Sequence, residues 1–321
     1  MGVLSSPDYY GGCMSSHVGI DVSKDELVVH VLPAELDRAF PNNRTGLAEL
    51  LDWLLPLDCR RIVFEASGGY ERDLLEVLHQ AGLAAVRLPA QRPRELARAL
   101  GLKAKTDALD ARVLAVAAHL LPAPTTPPPT APMQALREWL QLRSALVRER
   151  DGHRRRIQQL RDERVKDYLR TLIDDLKARI TQVEGHLRQA QKHCPSRLAD
   201  APGLGPILRA TLAARLPELG QLHRRQIAAL VGLAPYNRDS GRWKGQRRIS
   251  GGRPDVRRVL YMATWATIRA RSPLADTYQR LVAAGKPKKL ALTACMRKYL
   301  TMLNAMARDQ TPWAPALTLS A

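Results

Sequence analysis

The sequence predicts an α/β N-terminal domain, a long helical arm and a mainly α-helical C-terminal domain. Three observations predict it. Short apolar runs alternate with helical repeats through the first third of the chain. A proline-dense stretch, LPAPTTPPPTAPM at 121–133, then breaks the pattern. Beyond it, apolar residues recur mostly in steps of three and four, the spacing of one helix face. A length of 321 residues fits two domains as a starting expectation.

The elements follow in order. HVGIDV reads as a strand, SKDE as a turn and LVVHVL as a second strand, so the two form a hairpin. GLAELLDWLL has helical spacing, and RRIVFEA is a third strand. ERDLLEVLHQAG is a helix stopped by Gly82, and LAAVRLP is a fourth strand. DALDARVLAVAAHLL is a strong helix with Thr106 placed to cap it. Strands alternating with helices favour a mixed sheet covered by helices over 17–121, preceded by a flexible extension over 1–16.

Residues 122–133 form a stiff linker, because their prolines can continue neither helix nor strand. A helical arm occupies 134–200. Leu160, Leu169, Leu172, Leu176, Ile180, Val183 and Leu187 make a seam suited to a coiled coil. Gly152 lies inside the pattern, so one long helix and a helical hairpin both remain open. Arg154, Arg155 and Arg156 read as a solvated face. The C-terminal domain, 201–321, opens with PGLGP. That is either a phosphate-holding turn at a helix start or a tight turn between packed helices.

Composition narrows the class. Lys and Arg number 50 against 31 Asp and Glu, a formal charge of +19. Such an excess calls for a polyanionic partner, most simply nucleic acid. A long uncharged apolar span is absent, as is a signal-peptide pattern, so no membrane association is expected. The cysteines Cys13, Cys59, Cys194 and Cys295 are scattered without a CxxC pair, which fits a reducing cytoplasm.

Four carboxylates carry the chemistry. Asp21 sits in the first strand, Glu65 ends the third, and Asp107 and Asp110 open the capped helix. Three residues apart, the last two share a helix face. Taken singly, each has an ordinary role: a turn start, a strand end or a helix cap. Taken together, the order of an acid on each of two strands and two on a later helix is that of a two-metal nuclease site. Mg²⁺ prefers carboxylate and phosphate oxygens. Two such ions about 4 Å apart clamp the attacking and leaving oxygens of a phosphodiester. Lys103 and Lys105 precede the acidic pair, either to meet a substrate backbone or to serve solubility.

A second cluster is basic. Arg238, Arg242, Lys244, Arg247, Arg248, Arg253, Arg257 and Arg258 are opposed only by Asp239 and Asp255. Interleaved glycines let backbone approach a phosphate, and Tyr236 and Trp243 can stack on bases. Ser240 and Ser250 lie among these arginines. A serine so placed can attack phosphorus while guanidiniums stabilise the developing charge. Spacing alone favours ordinary loop serines, since no histidine stands beside either.

HVGIDVSKDEL, FEASGGYE and LKAKTDALDARVLA resemble the N-terminal domain of the DEDD-type insertion-sequence transposases, whose relatives include the Piv invertase. APGLGPILRATLAARL, AALVGLAPYNRDSGRWKGQRRISGGRPDVRRVLYMAT and KLALTACMRKYL resemble that family's C-terminal transposase domain. The likeness spans roughly 17–310. It implies a RuvC-like domain of the RNase H fold, with Asp21, Glu65, Asp107 and Asp110 binding Mg²⁺. It implies a catalytic serine in the SG dipeptide, which is Ser240 here, with Ser250 held in reserve. The serine would hold a DNA end as a phosphoserine. Further implications are donor and target DNA as partners, a structured bridge RNA as guide, and dimers or tetramers whose subunits share sites in a bacterial, nucleoid-associated protein. Two other readings are a RuvC-like endonuclease that uses water and a non-catalytic nucleic-acid-binding protein.

Overall fold

The structure, a computed structural model, describes residues 15–102, 106–121, 124–194, 198–236, 248–270 and 272–313, together with the backbone of 239–240 and 243–244. The chain divides into two compact units, Met1–Pro129 and Thr130–Ala321.

The first unit is built on one five-stranded sheet. Its strands are β1 (Ser16–Val22), β2 (Glu26–Leu32), β3 (Leu36–Pro41), β4 (Cys59–Glu65) and β5 (Ala85–Leu88), in the spatial order β3-β2-β1-β4-β5. β1, β2 and β3 are antiparallel neighbours, while β4 and β5 run parallel to β1. The helices are α1 (Arg44–Leu54), α2 (Arg72–Gln80), α3 (Gln91–Ala99) and α4 (Asp107–Leu120). Alternation along the strands divides the core. Ile20, Ile62 and Phe64 pack with Leu47, Leu50, Leu74 and Leu78 of α1 and α2. On the other face Val63, Val86 and Leu88 pack with Leu114, Ala117 and Ala118 of α4.

The expected hairpin, strands and helices are present, and the structure adds β3 and α3. β3 shows one buried residue, Phe40, so no apolar alternation announced it. It forms because β2 offers an open edge, pairing Val28 with Ala39 and Leu27 with Phe40. In α3 only Pro93 is buried, which leaves no apolar stripe to read.

The second unit is mostly helical. It comprises α5 (Ala131–Ile157), α6 (Glu163–Lys192), α7 (Pro206–Arg215), α8 (Arg224–Val231), α9 (Pro254–Arg269), α10 (Pro273–Ala283) and α11 (Lys288–Asp309). α5 takes in the last residues of the proline-rich stretch, because Pro132 falls in its first turn, where the missing N–H costs nothing. α5 and α6 form a hairpin. Arg143 pairs with Glu184 at 2.7 Å and Trp139 stacks on His186 at 4.5 Å. The reversal lies at 158–162, and Gly152 sits within α5 instead. Along α6 the buried residues are Leu169, Ile173, Leu176, Ile180, Val183 and Leu187, so Ile173 replaces the expected Leu172 in the seam.

Helices α7 to α11 enclose a second core around Leu208, Leu212, Ile227, Val256, Leu260, Leu300 and Leu303. PGLGP is a tight turn packed on this core. A Cβ at Gly203 would stand 2.1 Å from Thr267 Oγ1, and the carbonyl of Pro202 accepts from Thr267 Oγ1 at 2.9 Å and Tyr299 Oη at 2.7 Å. Burial pushes the Tyr299 phenol up to about 12. No helix among the described residues is long and apolar enough to cross a membrane.

Candidate active site

One glycine sets the distance between the strand that carries the first acid and the helix that carries two more. A Cβ at Gly19 would lie 2.1 Å from the carbonyl oxygen of Ala111 and 2.2 Å from the nitrogen of Ala115. Only hydrogen fits there, so α4 rests directly on β1. Gly19 and Asp21 point to the same face of the strand. α4 begins one turn before Ala111 with Asp107 and Asp110, and Thr106 caps it by accepting from the Leu109 N–H at 3.3 Å. Acids in that first turn suit the positive end of the helix dipole. β4 completes the set. Its parallel register pairs Gly19 with Val63 and Ile20 with Phe64. The next residues along the two strands are Asp21 and Glu65, and Glu65 shares the α4 face with Val63.

The electrostatics record this convergence. The Asp21 carboxyl is raised from an ordinary 3.8 to about 6. Burial is the largest cause, followed by the negative charges of Asp110, Asp107 and Glu65, and a hydrogen bond from the Val22 backbone opposes them. All four acids are thus within electrostatic reach of one point. Among the described residues, no group of three or more His, Cys, Asp or Glu side chains is gathered tightly enough to hold a metal ion. Four like charges brought together repel one another. As a donor set, four carboxylates offer only hard oxygen ligands, which fits a hard divalent cation.

Sequence reasoning missed Glu71. Its carboxylate is 4% exposed and folds the loop that follows Glu65 around itself. Ser67 donates to it from N at 3.2 Å and from Oγ at 3.1 Å, the Gly69 N–H at 2.8 Å, and Arg87 of β5 at 3.2 Å. Burial works to raise this carboxyl, but the donated hydrogen bonds and the Arg87 charge win and hold it below the usual range. The signal was an acid one residue beyond a Gly-Gly turn, at Gly68-Gly69-Tyr70-Glu71, which places backbone N–H groups within reach.

The basic cluster is a β-ribbon, not an open loop. β6 (Pro235–Tyr236) pairs antiparallel with β9 (Arg248–Ile249), and within that frame β7 (Asp239–Ser240) pairs with β8 (Trp243–Lys244). Ser240 stands opposite Trp243 in this register. Tyr236, Arg248, Ser250 and Arg258 are exposed. Arg253 and Arg257 are committed to the base of the ribbon. Arg253 grips Glu218 through two contacts at 2.6 and 2.7 Å and donates to the carbonyl of Arg215 at 2.8 Å. Arg257 donates to the carbonyls of Val231 at 3.0 Å and Gly251 at 2.8 Å. Gly232, with φ of 77°, touches Gly251 so closely that a Cβ would fall 2.2 Å from its carbonyl oxygen. Lys103, Lys105, Arg238, Arg242 and Arg247 lie outside the described residues, as do the side chains of Ser240, Trp243 and Lys244.

Known proteins give these two regions a common context. A family model described as Transposase, of the DEDD type, matches residues 18–165, and one described as Transposase IS116/IS110/IS902 family matches 196–279. The pilin gene-inverting protein of Moraxella bovis is 27% identical over 93% of this chain and 97% of its own length. Its counterpart in Moraxella lacunata is equally similar. An uncharacterized 44.8 kDa protein of insertion element IS116 in Streptomyces clavuligerus is 32% identical over 36% of this chain and 29% of its own. Both halves of the family pattern occur here in order, one over the acid-bearing sheet and one over the basic ribbon. The chain belongs to the IS110/IS116/IS902 transposases and is a DNA transposase or recombinase.

Proposed function

We propose that this transposase cuts and rejoins DNA by attack of Ser240 on the scissile phosphate, with Mg²⁺ held by Asp21, Glu65, Asp107 and Asp110. The observation that carries the reading is the carboxyl of Asp21, raised to about 6 by burial and by the three other acids. Groups perturbed in this way concentrate at functional sites. Three antiparallel strands followed by two parallel ones support a RuvC-like, RNase H-type reading of the sheet. Bound at these carboxylates, a pair of magnesium ions would neutralise charge on the phosphate oxygens.

The chain's own residues do the rest. Asp21 and Glu65, on adjacent strands, and Asp107 and Asp110, on a helix pinned by Gly19, would hold those ions. Ser240 Oγ forms a bond to phosphorus as the bond from phosphorus to a sugar oxygen breaks. The hydroxyl proton passes through water to the departing sugar oxygen. One phosphoester replaces another, so the step runs backwards to rejoin the strand. Arg238, Arg242, Lys244, Arg247 and Arg248 offset phosphate charge, and Tyr236 and Trp243 stack on bases. Arg253, Arg257 and Arg258 complete the basic surface, with the first two also fixing the ribbon base. Lys103 and Lys105 meet the substrate backbone before the acidic pair. Ser250 is the reserve nucleophile. Donor and target DNA are the substrates, a bridge RNA the guide, the helical arm the surface for dimers or tetramers, and the bacterial cytoplasm the setting. The relatives named for inverting pilin genes make inversion one outcome of the same chemistry, with transposition the other.

The test uses the full chain, a supercoiled plasmid carrying the element's ends, its flanking non-coding RNA, and Mg²⁺. Asp21→Asn and Ser240→Ala are each expected to lower recombination at least about 100-fold. A denaturing gel should show a protein–DNA adduct that Ser240→Ala abolishes and Ser250→Ala preserves. A Ser240→Ala protein that still cleaves would instead establish the water-using endonuclease.

A further inference from the structure

We infer that a groove in the second unit, walled by α5, α7 and α9, binds the phosphodiester backbone of a nucleic acid. Three helix stripes converge on it. α5 contributes Ser144, Arg148, Asp151 and Arg155, α7 contributes Ile207, Thr211 and Arg215, and α9 contributes Asp255, Arg258 and Val259. Within the α5 and α7 stripes the spacing is three or four residues, so each presents one continuous face, and in α9 Arg258 lies one turn beyond Asp255. The groove encloses about 270 Å³. Sites that swallow a small organic ligand occupy roughly 300–1,000 Å³, so this one suits a segment of an extended chain.

Charge selects that chain. Five arginines line the groove against two aspartates. Both aspartates already have cations: Asp151 meets Arg150 at 2.8 Å and Arg154 at 3.9 Å, and Asp255 meets Arg215 at 3.5 Å. Arg143 is held by Glu184 at 2.7 Å. Arg148, Arg155 and Arg258 are exposed, and their side chains have no acidic partner among the described residues. Three unpaired guanidiniums facing one cleft are a ready site for phosphate oxygens, which guanidinium binds in a bidentate fashion. Leu140, Val147, Ile207 and Val259 supply apolar surface between them for sugar rings. The arginine run at 154–156 is therefore not one uniform solvated face: Arg155 turns into the groove, while Arg154 and Arg156 do not line it.

The inference rests on the family's nucleic-acid chemistry and on neither the carboxylates nor Ser240, so binding without Mg²⁺ tests it apart from cleavage. The full chain is titrated into labelled mixed-sequence duplex DNA, and separately into single-stranded RNA, over a range of KCl. Each phosphate contact adds about 0.9 to the slope of log K against log salt on duplex DNA and about 0.7 on a single strand. The Arg148→Ala/Arg155→Ala/Arg258→Ala protein should lose about 2–3 from that slope. Arg154→Ala/Arg156→Ala, with the same helix altered outside the groove, should leave it nearly unchanged. A loss on one polymer alone assigns the groove to that polymer. An unchanged slope on both, or an equal loss in the two variants, overturns the proposal. The corresponding triple Lys protein keeps the charges and should keep the slope, and its failure to do so would expose a purely structural role.

Discussion

The acid-bearing sheet and the serine-bearing ribbon position their chemistry in different ways. In the sheet, the acids come from three regular elements far apart in sequence, and their meeting depends on one close contact between α4 and β1 at Gly19. In the ribbon, neighbouring residues pair with each other, and among the described residues the long-range contacts act at the base, through Gly232, Arg253 and Arg257. The first arrangement is as rigid as a packed core. The second is a short two-tier hairpin, a unit with little stability of its own, that is stapled at one end. Under the proposed mechanism the contrast is a division of labour: carboxylates that would hold metal need fixed mutual distances, whereas a nucleophile that must reach a substrate benefits from a jointed mount.

The comparison breaks most visibly at Gly19. Gly19→Val drives a side chain into the backbone of Ala111 and Ala115. Urea unfolding should show a loss of about 3 kcal/mol, and the Asp21 carboxyl, followed by NMR, should fall back toward an ordinary value as α4 moves away. A Gly19→Val protein with unchanged stability and an unchanged Asp21 titration would show that this contact does not set the site.

Glu71 gives the next effect. Glu71→Ala leaves Arg87 and the N–H groups of Ser67 and Gly69 without their acceptor. The expected loss is about 2–3 kcal/mol of stability, with recombination falling beyond what thermal melting explains because the end of β4 carries Glu65. Glu71→Gln keeps an acceptor and should recover about half.

Arg253→Ala sharpens the other side. Its bidentate pair with Glu218 is partly exposed, so the global loss should be about 1 kcal/mol. Hydrogen exchange should nonetheless speed up across 235–249 while β1 and β4 stay protected. Equal exchange in both regions would contradict the jointed mount.

The smallest effect is a pH dependence. Without metal, the folded protein keeps the Asp21 proton up to about 6, whereas an unfolded chain releases it near 3.8. The folded state binds the extra proton in that window, so stability falls as pH rises from about 4 to about 6 and stays reduced above. Asp21→Asn should therefore raise the melting temperature by a few degrees at pH 7 in chelator and by almost nothing at pH 4. An equal gain at both pH values would remove the electrostatic cause.

Much of this was legible in the residues. Apolar alternation marked β1, β2, β4 and β5, the capping threonine marked α4, and the run of arginines marked the basic cluster, though not its pairing as a ribbon. Elements without an apolar signature were not legible. β3 is an edge strand recruited by its neighbour, and α3 buries only a proline. α10 carries its apolar contacts at its first turn, with Leu274 and Ala275 buried.

By itself, the sequence determined the inventory: four acids, a serine among arginines, a strong positive charge, and the local periodicities that make strands and helices. These are properties of composition and of neighbours along the chain, and they survive without knowledge of any distant contact. Only the tertiary structure decided which acids face one another, because that depends on a strand parity, a parallel register and a missing Cβ acting together. The same holds for Glu71, whose partners lie on a turn and on another strand. It holds for the arginine groove, where Arg155 is separated from two adjacent arginines by its helix face alone. Each of these arrangements lies where segments distant in sequence meet, and only folding brings them together.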